Sequence, residues 1–256
     1  MNLFFDRVGR YTILFFIHLS RFWSLLLATF RTVAQLPAYL PLVFAQMMGI
    51  GVRSLPIVVF TAAFMGMVTA VQAVYQFQSY VPIHLVGSVV SKSVVLELGP
   101  VLTSLVLSGR VGATIAAELG TMKVTEQIDA LESLAIDPVA YLVMPRVTAG
   151  MVMLPVLTIF ADAIGILGGF LVSIFALRIT SFDFIKGMKI YFVPWDVLYG
   201  LIKALIFGGA MTLISCYQGL NASGGAEGVG RATTNAVVVS CLSIFLLNYV
   251  LASLLL

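Results

Sequence analysis

The chain has 256 residues, 61% of them hydrophobic and 10% charged, and a mean hydropathy of +1.08. Values so far from soluble averages exclude a soluble globular class and predict one integral membrane domain. The formal net charge of +3 and the pI near 8.9 rest on few residues, with no basic run interleaved with aromatics, so they describe membrane topology and exclude nucleic acid as a partner.

Residues 1–35 carry a helical pattern in which Arg7, Arg10, Arg21 and Arg31 project within roughly 120° of one another at about 100° per residue. Phe4, Phe15, Phe22 and Leu26 cluster on the opposite side. This predicts an interfacial helix lying in the head-group region, arginines toward lipid phosphates. The alternative is a true crossing over residues 11–30, which would put His18 and Arg21 in hydrocarbon at roughly 3 kcal/mol or more for the arginine. A signal peptide is a third reading, although no small-x-small pattern closes the apolar run. Pro37, Pro41, Gly49 and Gly51 then break the helix, so residues 1–54 read as interfacial helix and connection, and 55–256 as the transmembrane domain.

Five apolar runs follow, over residues 55–77, 83–117, 147–176, 197–218 and 232–256, each long enough to cross a bilayer. The fold class is therefore an all-α integral membrane protein. Between the third and fourth runs, residues 178–196 form the largest polar excursion, with Tyr191, Phe192 and Trp195 as an aromatic belt.

The second run holds the chemistry. Glu97 sits just before Gly99-Pro100, and a proline lacks an N–H and crowds the carbonyl four residues back, at Leu96. This predicts a carboxylate at a kink in a membrane helix, which is costly unless it faces a partner or a wet cavity. Gly109, Gly112, Ala113, Ala116, Ala117 and Gly120 recur at three- and four-residue spacings suited to close helix approach. Residues 121–135 then read as one short amphipathic helix, with Val124, Ile128, Leu131 and Ala135 on one face, stopped before Pro138.

The stretches ELGPVLTSLVLSGRVGATIAAELGTM, EQIDALESLAIDP and GGAEGVGRATTNAVV together resemble the MlaE/YrbE permease family, membrane subunits of ABC transporters that move lipids with MCE-domain proteins. The resemblance covers roughly residues 40–256. It implies a phospholipid transporter between the inner membrane and the outer envelope: a homodimer in the bacterial inner membrane with cytosolic N-terminus. Its implied partners are cytosolic ABC ATPase subunits carrying ATP and Mg, an MCE-domain periplasmic protein and a small accessory cytosolic subunit. No cofactor, metal or ATPase activity is expected in this chain. The resemblance places Glu97 and Lys203 near a lipid-binding cavity at the dimer interface, and the ATPase coupling surface on Glu126, Asp129, Ala130, Leu131 and Glu132. Two positions depart from the pattern: Ala135 stands where E-x-x-D-A-L-x-x-x-G-x-x-P has glycine, and Leu96 where an enterobacterial member has arginine.

Glu97, Asp162 and Lys203 are the three intramembrane charges, and a lysine–carboxylate pair among them would lower the cost of each. They read either as an interhelical salt bridge or as part of the lipid cavity, together with Leu96, Tyr75, Phe77 and Tyr80. With the N-terminus inside, nine basic residues fall on the cytosolic side and five outside, Lys92, Arg178, Lys186, Lys189 and Lys203. The glycine-rich stretch 219–235 lacks G-x-x-x-x-G-K-[ST] and reads as a flexible connection, not a phosphate cradle. His18 and His84 form no catalytic grouping, and Cys216 and Cys241 read as inert apolar thiols. The alternative function is an ion-coupled secondary transporter of an amphipathic solute using the three charges as a relay, against which the docking-like helix and the absence of an inverted repeat weigh.

Overall fold

The computed structural model describes residues 2–77, 82 and 85–255, with side chains in α1 described at residue 13 and from 16 onward. Tyr80 and His84 lie outside the described residues, as do the side chains of Phe77, Arg7, Arg10, Phe4 and Phe15. Every regular element among the described residues is helical, and five helical stretches are long and apolar enough to cross a membrane.

The first stretch, Phe16–Gln76, runs from within α1 (Asn2–Thr32) through α2 (Leu40–Ile50) into α3 (Leu55–Phe77), joined by short 3₁₀ turns at Val33–Tyr39 and Val52–Ser54. On α1 the two sides differ as the sequence pattern requires. Arg21, Trp23 and Arg31 are exposed, while Phe22, Leu25 and Leu26 pack against the core. His18 Nδ1 lies 2.8 Å from the Tyr217 hydroxyl, fixing α1 to the bundle.

The second stretch, Leu85–Val124, is built from α4 (Leu85–Ser93), α5 (Gly99–Leu107) and α6 (Ala113–Val124), joined by π-helical turns at Val94–Leu98 and Ser108–Gly112. At 40 residues it reaches about 60 Å, twice a hydrocarbon core, so tilt, bending or extension past the bilayer takes up the excess. The predicted kink is thus a widened turn rather than a simple bend. A proline inside the helix leaves one carbonyl without its amide partner, and a π turn accommodates the ring without breaking the rod.

Beyond α6, the single amphipathic helix expected over 121–135 is two pieces. Thr125 ends α6, Glu126 takes a left-handed conformation with φ of 59°, and α7 (Gln127–Ser133) starts in a new direction. The chain leaves α7 through Ala135, also at φ 59°, with Ala135 N–H donating to the Glu132 carbonyl at 2.9 Å and Ile136 N–H to the Leu131 carbonyl at 3.0 Å. That hydrogen-bond pair is the Schellman ending, which places a left-handed residue where glycine is favoured.

A third π turn, Val139–Val143, leads into α8 (Met144–Phe175). α8 packs along both α3 and α10 (Pro194–Leu220). A Cβ at Gly66 would fall on the Gly165 carbonyl, so the α3–α8 contact is backbone against backbone. The polar excursion contains a helix, α9 (Ser181–Ile190), whose N-cap Thr180 accepts from the Asp183 amide at 3.2 Å. Phe184 of α9 lies beneath Gly87 of α4 and anchors a smaller second core. α11 (Gly225–Leu255) begins well inside the glycine-rich stretch, leaving residues 221–224 as the connection. The flexible 219–235 loop is therefore not observed: Gly224 and Gly225, at positive φ, make one sharp turn, after which helix propensity suffices.

The main core is shared by α2, α3, α5, α6, α8, α10 and α11, with Leu107, Leu119, Leu154, Leu157, Phe207 and Met211 fully buried. Phe60, Phe64, Phe175, Phe245, Leu246 and Leu254 form an outward apolar surface that only lipid or another apolar partner can cover.

Candidate functional site

The site grows out of the Pro100 defect. Lacking an N–H, Pro100 leaves the Leu96 carbonyl without its helical donor, and the Lys203 ammonium takes that place at 2.9 Å. The same nitrogen is 2.8 Å from Glu97 Oε1. It also lies 4.8 Å from the centre of the Tyr199 ring, one helical turn earlier on α10. Two acceptors and a ring face satisfy the ammonium, which explains how a lysine can be 0% exposed in a membrane bundle. Glu97 Oε2 accepts from Asn248 Nδ2 of α11 at 3.0 Å, so three helices converge on one carboxylate.

This cluster is asymmetric. Lys203 is sealed, whereas the Glu97 side chain remains 43% exposed. Asn248 Oδ1 and the Tyr199 hydroxyl are buried without hydrogen-bond partners among the described residues. An anchored cation, an accessible carboxylate and two unused polar atoms form a site able to bind a polar group at bilayer depth.

The structure brings Glu97 and Lys203 together as the sequence suggested, and it assigns Leu96 a backbone role through its carbonyl. It does not bring Asp162 to the pair. Asp162 lies on α8 with Oδ1 against Gly99, so close that a Cβ there would collide, and that oxygen has no hydrogen-bond partner among the described residues. Gly99 is needed to make room for it. Tyr75 stands 73% exposed near the end of α3, without a polar contact to the cluster among the described residues. Tyr199 and Asn248 were not singled out from the sequence. Their signals were present, Asn248 as one of two strongly polar residues in its span and Tyr199 four residues before the lysine.

At the far end of the second stretch, α7 turns Ile128 inward, holds Leu131 half-buried, and exposes Glu126, Asp129, Ala130 and Glu132. Lys123 Nζ holds Asp129 Oδ1 at 2.8 Å across the α6–α7 corner. Arg146, at the start of α8, donates to Glu118 Oε2 at 3.0 Å and to the Leu142 carbonyl at 2.9 Å, bracing α6 against the π turn that follows α7. Separately, an apolar groove of about 450 Å³ runs between α1, α8, α10 and α11, lined by Phe22, Leu26, Met151 and Leu247 among others.

A family model described as Permease MlaE matches residues 43–254. The chain belongs to the MlaE permease family. A probable ABC transporter permease protein of Rickettsia prowazekii is 43% identical over 247 residues, covering 96% of this chain and 95% of that one. The intermembrane phospholipid transport system permease protein MlaE of Haemophilus influenzae is 36% identical over 252 residues, covering 98% and 96%. The chloroplastic protein TRIGALACTOSYLDIACYLGLYCEROL 1 of Arabidopsis thaliana is 38% identical over 212 residues, 79% of this chain and 58% of that one. As an MlaE permease the chain is a multi-pass membrane subunit of an ABC-type system, non-enzymatic in itself.

Proposed function

We propose that this MlaE permease is the membrane subunit of an ATP-driven phospholipid transporter, with Glu97, Lys203 and their neighbours as the polar end of its lipid cavity. The observation that carries this reading is the half-exposed Glu97 carboxylate at mid-span. A charge held there against bare hydrocarbon is expensive, so the face that carries it suits a second copy of the chain enclosing a cavity rather than lipid tails. Lys203, sealed behind Glu97, offsets the carboxylate's charge, the accessible Glu97 carboxylate with the spare Asn248 and Tyr199 oxygens meets the polar head group, and Leu96 and Tyr75 are offered to the acyl chains. Asp162, facing Gly99, sits on the neighbouring wall.

In this reading the N-terminus is cytosolic in a bacterial inner membrane, and α1 is the interfacial helix of the 1–54 unit. The exposed face of α7 docks a separate ABC ATPase that holds ATP and Mg, while an MCE-domain protein and a small accessory subunit complete the assembly. Support for docking is geometric: the 40-residue stretch that ends in α6 is longer than a straight crossing needs, and it ends in a corner presenting Glu126, Asp129 and Glu132 outward.

The deciding experiment measures ATP-driven lipid transfer, co-purified phospholipid and melting temperature for Lys203→Met with Glu97→Gln. The double variant is expected to fold with transfer and retained lipid both low; wild-type transfer in a well-folded double variant rejects the cavity. For docking, Glu126→Lys with Asp129→Lys should release the ATPase during purification, because like charges at an interface cost several kcal/mol. An intact, active complex would sink that assignment.

A further inference from the structure

The second π turn of the same membrane helix faces a small polar cavity that the proposed transport route does not use. The cavity is about 110 Å³ and is lined by Gln46, Arg53, Arg110, Thr114 and Glu118, with Ile50 among the apolar walls. Arg110 Nη1 donates to the Ser54 hydroxyl, which itself donates to the Ile50 carbonyl at 2.6 Å. One arm of the Arg110 guanidinium is thereby anchored at the entry of α3, and its remaining N–H groups are unused by any hydrogen bond among the described residues. The Arg53 side chain has no hydrogen bond or ion pair among the described residues, and neither does the Gln46 amide. The one carboxylate on the rim, Glu118, has Oε2 held by Arg146, which offsets its charge. Two guanidiniums with spare donors thus line a cavity large enough for a phosphate group.

Its depth is set by the helices. Arg53 lies two residues before α3, a 23-residue helix about 34 Å long, so it stands at the membrane boundary. Arg110, bonded to Ser54, is at the same level, and lies 13 residues, or about 20 Å, along the helix from Glu97 toward α7. On the segment that supplies Gln46 and Arg53, the side chains of Phe44, Met48 and Val52 are exposed and apolar. Free phosphate has no use for them, whereas acyl chains do.

We propose that Arg53 and Arg110 form a second lipid site, distinct from the Glu97–Lys203 cluster, that binds the phosphate of a phospholipid in the leaflet on the α7 side. Planar guanidiniums suit a phosphate diester because each can donate two parallel hydrogen bonds. The inference stands on this cavity and not on the transport reading, and its test involves no transport.

The test uses the delipidated permease complex in detergent, with phenylglyoxal modification of each arginine followed by peptide mass spectrometry. Probes at equal concentration are dihexanoylphosphatidylglycerol, inorganic phosphate and dihexanoylglycerol. The short-chain phospholipid should slow modification of Arg53 about tenfold, the equivalent of one charge-assisted hydrogen bond. Phosphate and dihexanoylglycerol should have little effect, and exposed Arg31 should react equally throughout. In Arg110→Gln the protection of Arg53 should vanish. Because Arg53 has no partner among the described residues, Arg53→Gln should fold normally and lose one tightly retained phospholipid per chain by native mass spectrometry. Equal protection by inorganic phosphate would overturn the lipid assignment in favour of a free-anion pocket. Absent protection, protection that survives Arg110→Gln, or unchanged lipid retention in Arg53→Gln would overturn the site itself.

Discussion

The π turns at Val94–Leu98 and Ser108–Gly112 interrupt one membrane helix, and each turns a charged residue toward a neighbouring element. At the first, Glu97 meets Lys203 and Asn248, and the orphaned Leu96 carbonyl is filled by the same lysine. At the second, Arg110 meets a hydroxyl, Ser54, and keeps spare donors. The first defect has a covalent cause in Pro100. The second has no proline: Gly109 and Gly112 weaken the α path, and the Ser108 hydroxyl satisfies the Ser104 carbonyl at 2.8 Å. A proline compels a defect that the tertiary structure must fill, whereas glycines permit one that packing selects.

Removing the ion-pair partner should separate the two turns most. Lys203→Met leaves a buried carbonyl and a carboxylate uncompensated, and a loss of about 3 kcal/mol is expected, the low end for a buried pair because Glu97 is partly solvated. Arg110→Gln should cost about 1–2 kcal/mol, as the group left behind is a neutral hydroxyl with its own acceptor. Both are measurable by SDS titration in mixed micelles, and equal losses would break the contrast.

Pro100→Ala probes the cause directly. The restored amide should reclaim the Leu96 carbonyl, becoming protected from hydrogen exchange, while stability stays within about 1 kcal/mol of wild type and retained lipid falls. A freely exchanging amide at position 100 would mean that Lys203, not the proline, holds the turn open.

The smallest effect concerns another departure from helical geometry, the left-handed corner at Ala135. Left-handed backbone costs an alanine roughly 1 kcal/mol that glycine avoids in part, so Ala135→Gly should stabilise by about 0.5–1 kcal/mol in the same titration. No gain would indicate that ordering a glycine offsets the relief of strain.

Much of this architecture was legible in the chain. The 55–77 run coincides with α3, and the second to fifth runs each lie close to one helical stretch. Composition sufficed there because the apolar run length a bilayer requires is a one-dimensional property. That Lys203 would pair with a carboxylate was legible for a similar reason, since opposite charges in hydrocarbon have few other fates, whereas the family resemblance and not the charges singled out Glu97. Asp162 defeated the same logic, since which carboxylate reaches the lysine depends on helix rotation, and α8 turns Asp162 toward Gly99. The left-handed break at Glu126 and the early start of α11 were likewise invisible, because amphipathic spacing and glycine content register neither a single φ reversal nor its absence.

What the sequence determined by itself was the class, the number of crossings, the place of the first defect and the residue types able to share it. The tertiary structure decided which helix supplies each partner: Tyr199 and Asn248 around the ammonium and carboxylate, Ser54 beneath Arg110, and Gly66 against Gly165. The reason is physical. Hydrophobicity and a missing amide proton act along the chain, while hydrogen bonds and close backbone contacts between helices require rotation and registry that only the packed bundle fixes.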